Sequence, residues 1–86
     1  MELSEIRAQI DTIDDELVRL FCQRMRLCGE VAAYKKEHGL PILMPTREQE
    51  KLDDVSRKAG PEMEAYTRAM YEQLFALSRD YQSTLL

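Results

Sequence analysis

The chain has 86 residues, of which 44% are hydrophobic and 33% charged, with only three Gly, three Pro and no Trp. This length suits one small domain, residues 1–86, that gains from cover by a partner subunit, and the composition favours helices over strands. The net charge of -4 has the wrong sign for a protein that neutralises nucleic-acid phosphates, and no apolar run approaches the roughly 18 residues needed to span a membrane. We therefore expect a cytoplasmic, all-α protein with neither nucleic acid nor membrane as a partner.

The first predicted helix covers about residues 3–37 and is unusually long. It contains no Pro, and Gly39 followed by Pro41 gives a stop signal. A helix of this length measures about 50 Å, whereas a compact domain of this size is roughly 30–35 Å across. Its apolar residues recur at alternating steps of three and four, in a heptad seam that comprises Leu3, Ile6, Ile10, Ile13, Leu17, Leu20, Leu27, Val31 and Tyr34. The protruding apolar seam predicts a second copy of the chain across a two-fold axis.

The remaining chain predicts a loop over residues 38–45 and two shorter helices. Two prolines exclude a regular helix from the loop. The second helix covers about 46–59, where Thr46 and Gln49 have the spacing of a capping box. A Gly-Pro pair separates it from the third helix, about 62–84. The apolar stripe of that third helix, predicted to be its buried face, comprises Met63, Tyr66, Met70, Leu74, Leu77 and Tyr81.

Polar residues occupy inward positions on each of the three predicted helices. Arg24 stands at a seam position of the first helix, and Lys35 follows about three turns later on the same side. Glu48 heads the apolar stripe of the second helix. Ser78 and Gln82, four residues apart, border the buried face of the third. Two cations, a carboxylate, a hydroxyl and an amide directed toward one interior describe a site for a small anion.

Each of these residues also has a plain structural interpretation. Arg24 fits a register-setting residue paired with a carboxylate across a dimer as well as it fits an anion-binding residue. Lys35 taken alone is more often solvated, and Glu48 complements a helix N-terminus. Ser78 and Gln82 taken singly are ordinary boundary residues. No nucleophile–base pair, metal cluster or phosphate-binding Gly-rich loop accompanies them, so chemistry here would depend on binding and electrostatics, with no cofactor and no metal.

The kind and order of these residues resemble the AroQ-type chorismate mutases, over nearly the whole chain from Ile6 to Gln82. This resemblance implies three helices per chain, one of them very long, in an intertwined homodimeric helical bundle. It also implies an isomerase that converts chorismate to prephenate by a Claisen rearrangement in aromatic amino acid biosynthesis. The residues that carry the resemblance are Ile6-Arg7 with Ile10, Asp11, Ile13 and Asp14-Asp15, then Arg24, Lys35, Pro41, Arg47-Glu48, Ser78-Arg79 and Gln82.

The resemblance further implies a role for each site residue. Arg24 and the partner subunit's Arg7 would grip the two carboxylates of chorismate. Lys35 and Gln82 would donate hydrogen bonds to the ether oxygen whose bond to the ring breaks, and Glu48 would hold the ring hydroxyl. The remaining residues are Ser78, which would assist at a carboxylate, and Arg47 and Val31, which would border the pocket.

One position departs from the family pattern, and two other functions stay open. Met44 stands where many relatives carry Asp, a difference expected to affect substrate affinity more than reaction type. An isochorismate pyruvate lyase would share the fold and the anion clamps. In a non-catalytic dimeric helical module, Arg24 and Lys35 would form only salt bridges. Glu48 and Gln82 match the mutase pattern and therefore favour the rearrangement.

Overall fold

The computed structural model describes residues 1–85 and shows three α-helices. They are α1 (Leu3–His38), α2 (Pro45–Ala59) and α3 (Glu64–Thr84), and that range contains no strand. Helix α3 packs against both α1 and α2. The predicted all-helical class is therefore confirmed. None of the helices within the described range combines the length and the apolar character needed to cross a membrane.

Helix α1 sets the longest dimension of the molecule. Its 36 residues, at a rise of about 1.5 Å each, account for the longest principal extent of 54 Å. The helix ends at Gly39, whose φ of 66° lies in the left-handed region. The Gly39 N–H donates to the carbonyl of Lys36, and the Leu40 N–H donates to that of Lys35 at 2.8 Å. Gly39 is thus the helix stop that the sequence predicted.

The apolar seam of α1 stays exposed in the single chain. Ile13 is 63% exposed and Leu27 is 54% exposed. Among the described residues of α1, Ala32 is the one that is buried. Because α1 extends well past the packed part of the chain, most of the seam has no intramolecular surface to pack against.

The predicted buried face of α3 is wrong for a single chain. The buried residues of α3 are Phe75, Ser78 and Gln82, whereas Tyr66 is 73% exposed and Met70 is 48% exposed. The line that carries the serine and the amide faces inward because α3 lies between α1 and α2. The more apolar stripe of α3 is consequently left uncovered, like the seam of α1.

The capping box predicted for α2 is also wrong. The helix begins at Pro45, whose fixed φ and missing N–H suit a first helical position, and Met44 precedes it without a side-chain cap. The Gln49 amide instead donates to the Asp53 carboxylate at 3.1 Å. Pro45 therefore starts the helix one residue early and removes Thr46 from the capping position.

The glycines that follow α1 and α2 allow a test of how strongly their backbone conformations require glycine. Gly60 has φ 85° and ψ 167°, a combination open almost only to glycine, whereas Gly39 has φ 66° and ψ 30°. We expect Gly60→Ala to lower the free energy of unfolding by up to about 3 kcal/mol and Gly39→Ala by only about 1 kcal/mol. Urea denaturation at one fixed protein concentration measures both. At neither glycine would a Cβ meet an atom within 4 Å, so an equal or smaller loss at Gly60 would contradict the backbone argument.

Candidate active site

A polar cavity of about 130 Å³ lies where the three helices and the loop between α1 and α2 meet. Each helix contributes at least one charged side chain, and the loop and α3 add apolar residues to the cavity wall. The lining residues are Arg24 and Lys35 from α1, Ile42 and Met44 from the loop, Arg47, Glu48 and Lys51 from α2, and Phe75, Ser78, Arg79 and Gln82 from α3.

The structure brings together six of the eight residues predicted for the site: Arg24, Lys35, Arg47, Glu48, Ser78 and Gln82. It does not bring Arg7 or Val31 to the cavity of the same chain, and both side chains are exposed on α1. Arg7 precedes Arg24 by 17 residues, which is roughly 25 Å along a helix. Arg7 therefore lies too far along α1 to reach this cavity.

The cavity is strongly positive although the chain is acidic. Five cationic side chains and one carboxylate line it, a formal charge of 5 − 1 = +4, compared with -4 for the whole chain. One of the cations, Lys51, also lies 3.6 Å from Asp54 on the same helix. Such a concentration of one sign of charge in a concave site attracts small anions.

Arg24 brings to the cavity a charge that no ion pair within residues 1–85 neutralises. Its guanidinium carbon lies 5.9 Å from the ring centroids of both Tyr71 and Phe75. Its Nη1 lies 3.9 Å from the sulfur of Cys28. None of the ion pairs formed within residues 1–85 involves it. The aromatic rings position the guanidinium while its charge stays available to a ligand.

Lys35 and Gln82 are both held by main-chain carbonyls at the cavity wall. The Lys35 ammonium donates to the carbonyl of Ile42 at 2.8 Å. The Gln82 amide nitrogen donates to the carbonyl of Cys28 at 2.9 Å, and the Gln82 residue is only 5% exposed. An ammonium has three N–H groups and an amide has two, so each side chain keeps at least one donor for a ligand.

Glu48 is paired with Arg79, a residue to which the sequence assigned no role. The Arg79 Nη1 lies 2.6 Å from one carboxylate oxygen of Glu48 and 2.5 Å from the other. This pair joins α2 to α3 across the cavity wall. Arg79 belongs to the Ser78-Arg79 motif that carries the family resemblance. Its spacing relative to Ser78 and Gln82 did not indicate that it turns toward the same cavity.

Fold and site together define an all-helical protein with a positively charged pocket assembled from three helices. The family model described as chorismate mutase type II matches residues 6–83. The chain belongs to this family, and the resemblance found in its sequence is confirmed.

Three relatives show how the chain compares with known proteins. It is 46% identical over 46 residues to a protein named T-protein from Haemophilus influenzae, covering 54% of this chain and 12% of that protein. It is 42% identical over 48 residues to a chorismate mutase from Methanocaldococcus jannaschii, covering 56% and 48%. It is 34% identical over 59 residues to a 4-amino-4-deoxychorismate mutase from Streptomyces venezuelae, covering 69% and 57%. The match thus spans less than two thirds of the length of each of these relatives.

Replacing Arg24 by Met distinguishes an anion-binding role from a role in a buried ion pair with another copy of the chain. If Arg24 were one half of a buried ion pair with another copy, its loss would strand a carboxylate and cost about 3–5 kcal/mol. If Arg24 instead binds an anion and is positioned by the rings of Tyr71 and Phe75, which is the outcome we expect, Arg24→Met should change the free energy of unfolding by less than about 1 kcal/mol while ligand binding is lost. Chemical denaturation and calorimetric titration measure the two effects.

The control for this substitution is Arg57→Met. Arg57 lies 3.1 Å from Asp54 with a side chain that is 74% exposed, so its loss should cost at most about 1 kcal/mol. A loss of 3 kcal/mol or more at Arg24, with Arg57→Met near neutral, would identify Arg24 as a structural ion-pair residue.

Proposed function

We propose that this chain catalyses the Claisen rearrangement of chorismate to prephenate, as an intertwined homodimer in which each active site uses both subunits. The observation that carries the proposal is the convergence of Arg24, Lys35 and Gln82 on one positive cavity in a chain of this family. Chorismate is a small dicarboxylate, which suits a cavity lined by five cations and one carboxylate.

The chemistry of the rearrangement fits a site without a nucleophile or a general base. One C–O bond breaks while one C–C bond forms within the same molecule, and no proton is transferred. The protein must fold the flexible enolpyruvyl group over the ring and stabilise the charge that develops on the ether oxygen. Arg24 would clamp one substrate carboxylate by charge-assisted hydrogen bonds, and this restraint would favour the reactive geometry.

Lys35 and Gln82 would supply the electrostatic part of catalysis. Their attachment to the carbonyls of Ile42 and Cys28 holds both donors in place before substrate arrives, so they need little reorganisation during the reaction. A million-fold acceleration requires about 8 kcal/mol, and one such donor contributes about 3–4 kcal/mol. Two donors and a carboxylate clamp are therefore sufficient in magnitude.

The remaining residues would orient the substrate ring. Glu48 is the carboxylate that lines the cavity, and it would accept a hydrogen bond from the ring hydroxyl. Met44 lines the wall with a thioether, a poor hydrogen-bond acceptor. Ser78, which is 8% exposed, would donate to a substrate carboxylate. Arg47 would border the pocket, and Val31 stays a predicted border residue of the assembled site.

The dimeric part of the proposal is supported by an apolar groove of about 490 Å³ beside the cavity. Arg24 lines both the groove and the cavity. A second copy of α1 laid in the groove would bury its own exposed seam and carry its Arg7 toward the cavity. The apolar residues of the groove are Leu17, Val18, Leu20, Phe21, Cys22, Met70, Tyr71 and Leu74.

The activity is tested by incubating the chain with chorismate and following substrate loss together with prephenate formation. Parallel incubation with isochorismate tests the closest rival. Pyruvate release from isochorismate without conversion of chorismate would identify a lyase. No conversion and no binding of either compound would identify a non-catalytic helical module.

Shared active sites predict complementation between two inactive variants. Arg7→Ala and Arg24→Ala chains should each be inactive, because each site of either homodimer lacks one arginine. After mixing and refolding, a heterodimer contains one site with both arginines, so activity should return to at most half of the wild-type value per heterodimer. The measurement is the rate of prephenate formation, with native mass spectrometry counting the heterodimers.

Heterodimers that form and stay inactive would contradict the assignment of Arg7 to the partner subunit. A folded species with only the mass of one 10.1 kDa chain at micromolar concentration would contradict the dimer itself.

Substituting Glu for Gln82 should make the activity depend on pH. The side chain at this position faces the carbonyl of Cys28 and, in the proposed complex, the ether oxygen. Both are acceptors, so an ionised carboxylate is repelled by them while a protonated carboxyl can donate. Activity of Gln82→Glu should therefore rise as pH falls from 8 to 4.5, measured as kcat/KM with folding checked by circular dichroism.

Lys35→Ala provides the comparison for this pH profile. It removes a donor without introducing a titrating group, and should lose about 3–4 kcal/mol of transition-state stabilisation at every pH. A flat profile for Gln82→Glu near the wild-type level would remove Gln82 from the ether oxygen and make it a boundary residue.

A further inference from the structure

Arg79 occupies a distinctive place in the cavity, because one of its nitrogens lies between both oxygens of the Glu48 carboxylate at 2.6 and 2.5 Å. We propose that Arg79 sets the substrate selectivity of the site: paired with Glu48, it makes the pocket accept a neutral hydroxyl at ring position 4 and reject a cationic amine there. This inference rests on the proposed function, in which Glu48 faces the substituent at that ring position.

The pair leaves Glu48 able to accept a hydrogen bond. A carboxylate offers about four lone-pair directions, and Arg79 uses one direction on each oxygen. The side chains of Arg79 and Glu48 are 35% and 25% exposed, so the pair lies at the accessible wall and its remaining lone pairs can meet a ligand. A hydroxyl can donate to the paired carboxylate without adding charge.

An amine at the same ring position meets a different electrostatic environment. An alkyl amine is protonated at neutral pH. The Glu48 charge is already compensated by Arg79, and four further cations line the cavity. The ammonium would therefore meet a net positive field. Without Arg79, the carboxylate would be uncompensated, and its attraction for an ammonium would increase.

Both substrate chemistries occur among the relatives of this chain. The names of two relatives specify chorismate mutase and 4-amino-4-deoxychorismate mutase, and these two substrates differ in a hydroxyl or an amine at ring position 4. The selectivity of this chain between chorismate and 4-amino-4-deoxychorismate can therefore be measured.

A matched control is present on the same two helices. Arg68 on α3 lies 3.2 Å from Asp53 on α2, so it also joins α3 to α2 by an ion pair. Neither residue lines the cavity. Comparing Arg79→Met with Arg68→Met separates an effect on the ligand from the loss of a link between the helices.

The experiment measures kcat/KM for chorismate and for 4-amino-4-deoxychorismate with the full chain at pH 7. The selectivity is the ratio of the first value to the second. In Arg79→Met the ratio should fall by about tenfold or more, a change of about 1.4 kcal/mol. Arg79→Lys keeps the positive charge and should stay close to the wild-type ratio, and Arg68→Met should equal it. Glu48→Gln should raise the ratio, because Glu48 is the one carboxylate that lines the cavity within residues 1–85.

The pH dependence of the amine substrate gives a readout that a purely structural role would not change. In the wild type, kcat/KM for this substrate should rise as the amine loses its proton and its repulsion from the cavity. In Arg79→Met this rise should be clearly weaker, because the free Glu48 carboxylate offsets part of the repulsion from the four remaining cations. A structural defect would lower the values for both substrates without changing this slope.

The outcomes distinguish the inference from the proposed function. A wild-type chain that converts neither substrate would overturn both. A wild-type chain that converts chorismate, with an unchanged ratio and an unchanged slope in Arg79→Met, would overturn the role of Arg79 alone. If Arg79→Met does not fold, Glu48→Gln decides the matter, and a ratio that stays constant or falls in that variant would overturn the inference.

Discussion

The hydrogen bond from the Gln82 amide to the carbonyl of Cys28, 2.9 Å long, joins α3 to α1, and the rest of the site depends on this link. Gly29 leaves room beside this link, since a Cβ at that position would lie 3.3 Å from a methyl group of Leu85 and 3.5 Å from the ring of Tyr81. With α3 held at this distance, Ser78 and Arg79 face α2 and the loop, and the cavity closes around them. Because the Gln82 amide is buried and hydrogen-bonded to the main chain of α1, its rotation would break that hydrogen bond. The second N–H of the amide is therefore held in one direction.

The charge of the cavity is opposite in sign to the charge of the whole chain. The chain is acidic overall, while cationic side chains from all three helices converge on the cavity. Most carboxylates that form ion pairs lie on helix surfaces, such as Asp54 with Lys58 at 2.9 Å, and the pKa of Asp54 is lowered by its hydrogen bond to Lys58. Among residues 1–85, only Glu48 brings negative charge to the cavity wall. Its pairing with Arg79 therefore has a large influence on which ligand charges the pocket tolerates.

The single chain is incomplete as a packing unit. Ala32 and Phe75 are the hydrophobic residues buried within residues 1–85, while apolar side chains along α1 and on the outer face of α3 are widely exposed. Burial of apolar surface stabilises a fold by about 25 cal/mol per Å², so this surface represents stability that the chain alone does not obtain. The same surface borders Arg24. Assembly and completion of the site would thus be coupled in the proposed dimer, because the surface that drives association is continuous with the one that binds the ligand.

The sequence by itself determined the helices and most of the cavity. Periodicity, prolines and Gly39 indicated three helices. Arg24 was recognisable because it interrupts an apolar seam, and Gln82 because it borders the predicted buried face of α3. Only the tertiary structure decided which face of α3 is buried, since that depends on both neighbouring helices at once. It also decided that Arg79 turns toward Glu48, 31 residues away along the chain. A pattern within one helix reports which residues share a face, but not what that face meets, and long-range ion pairs are set by the packing of helices rather than by their sequences alone.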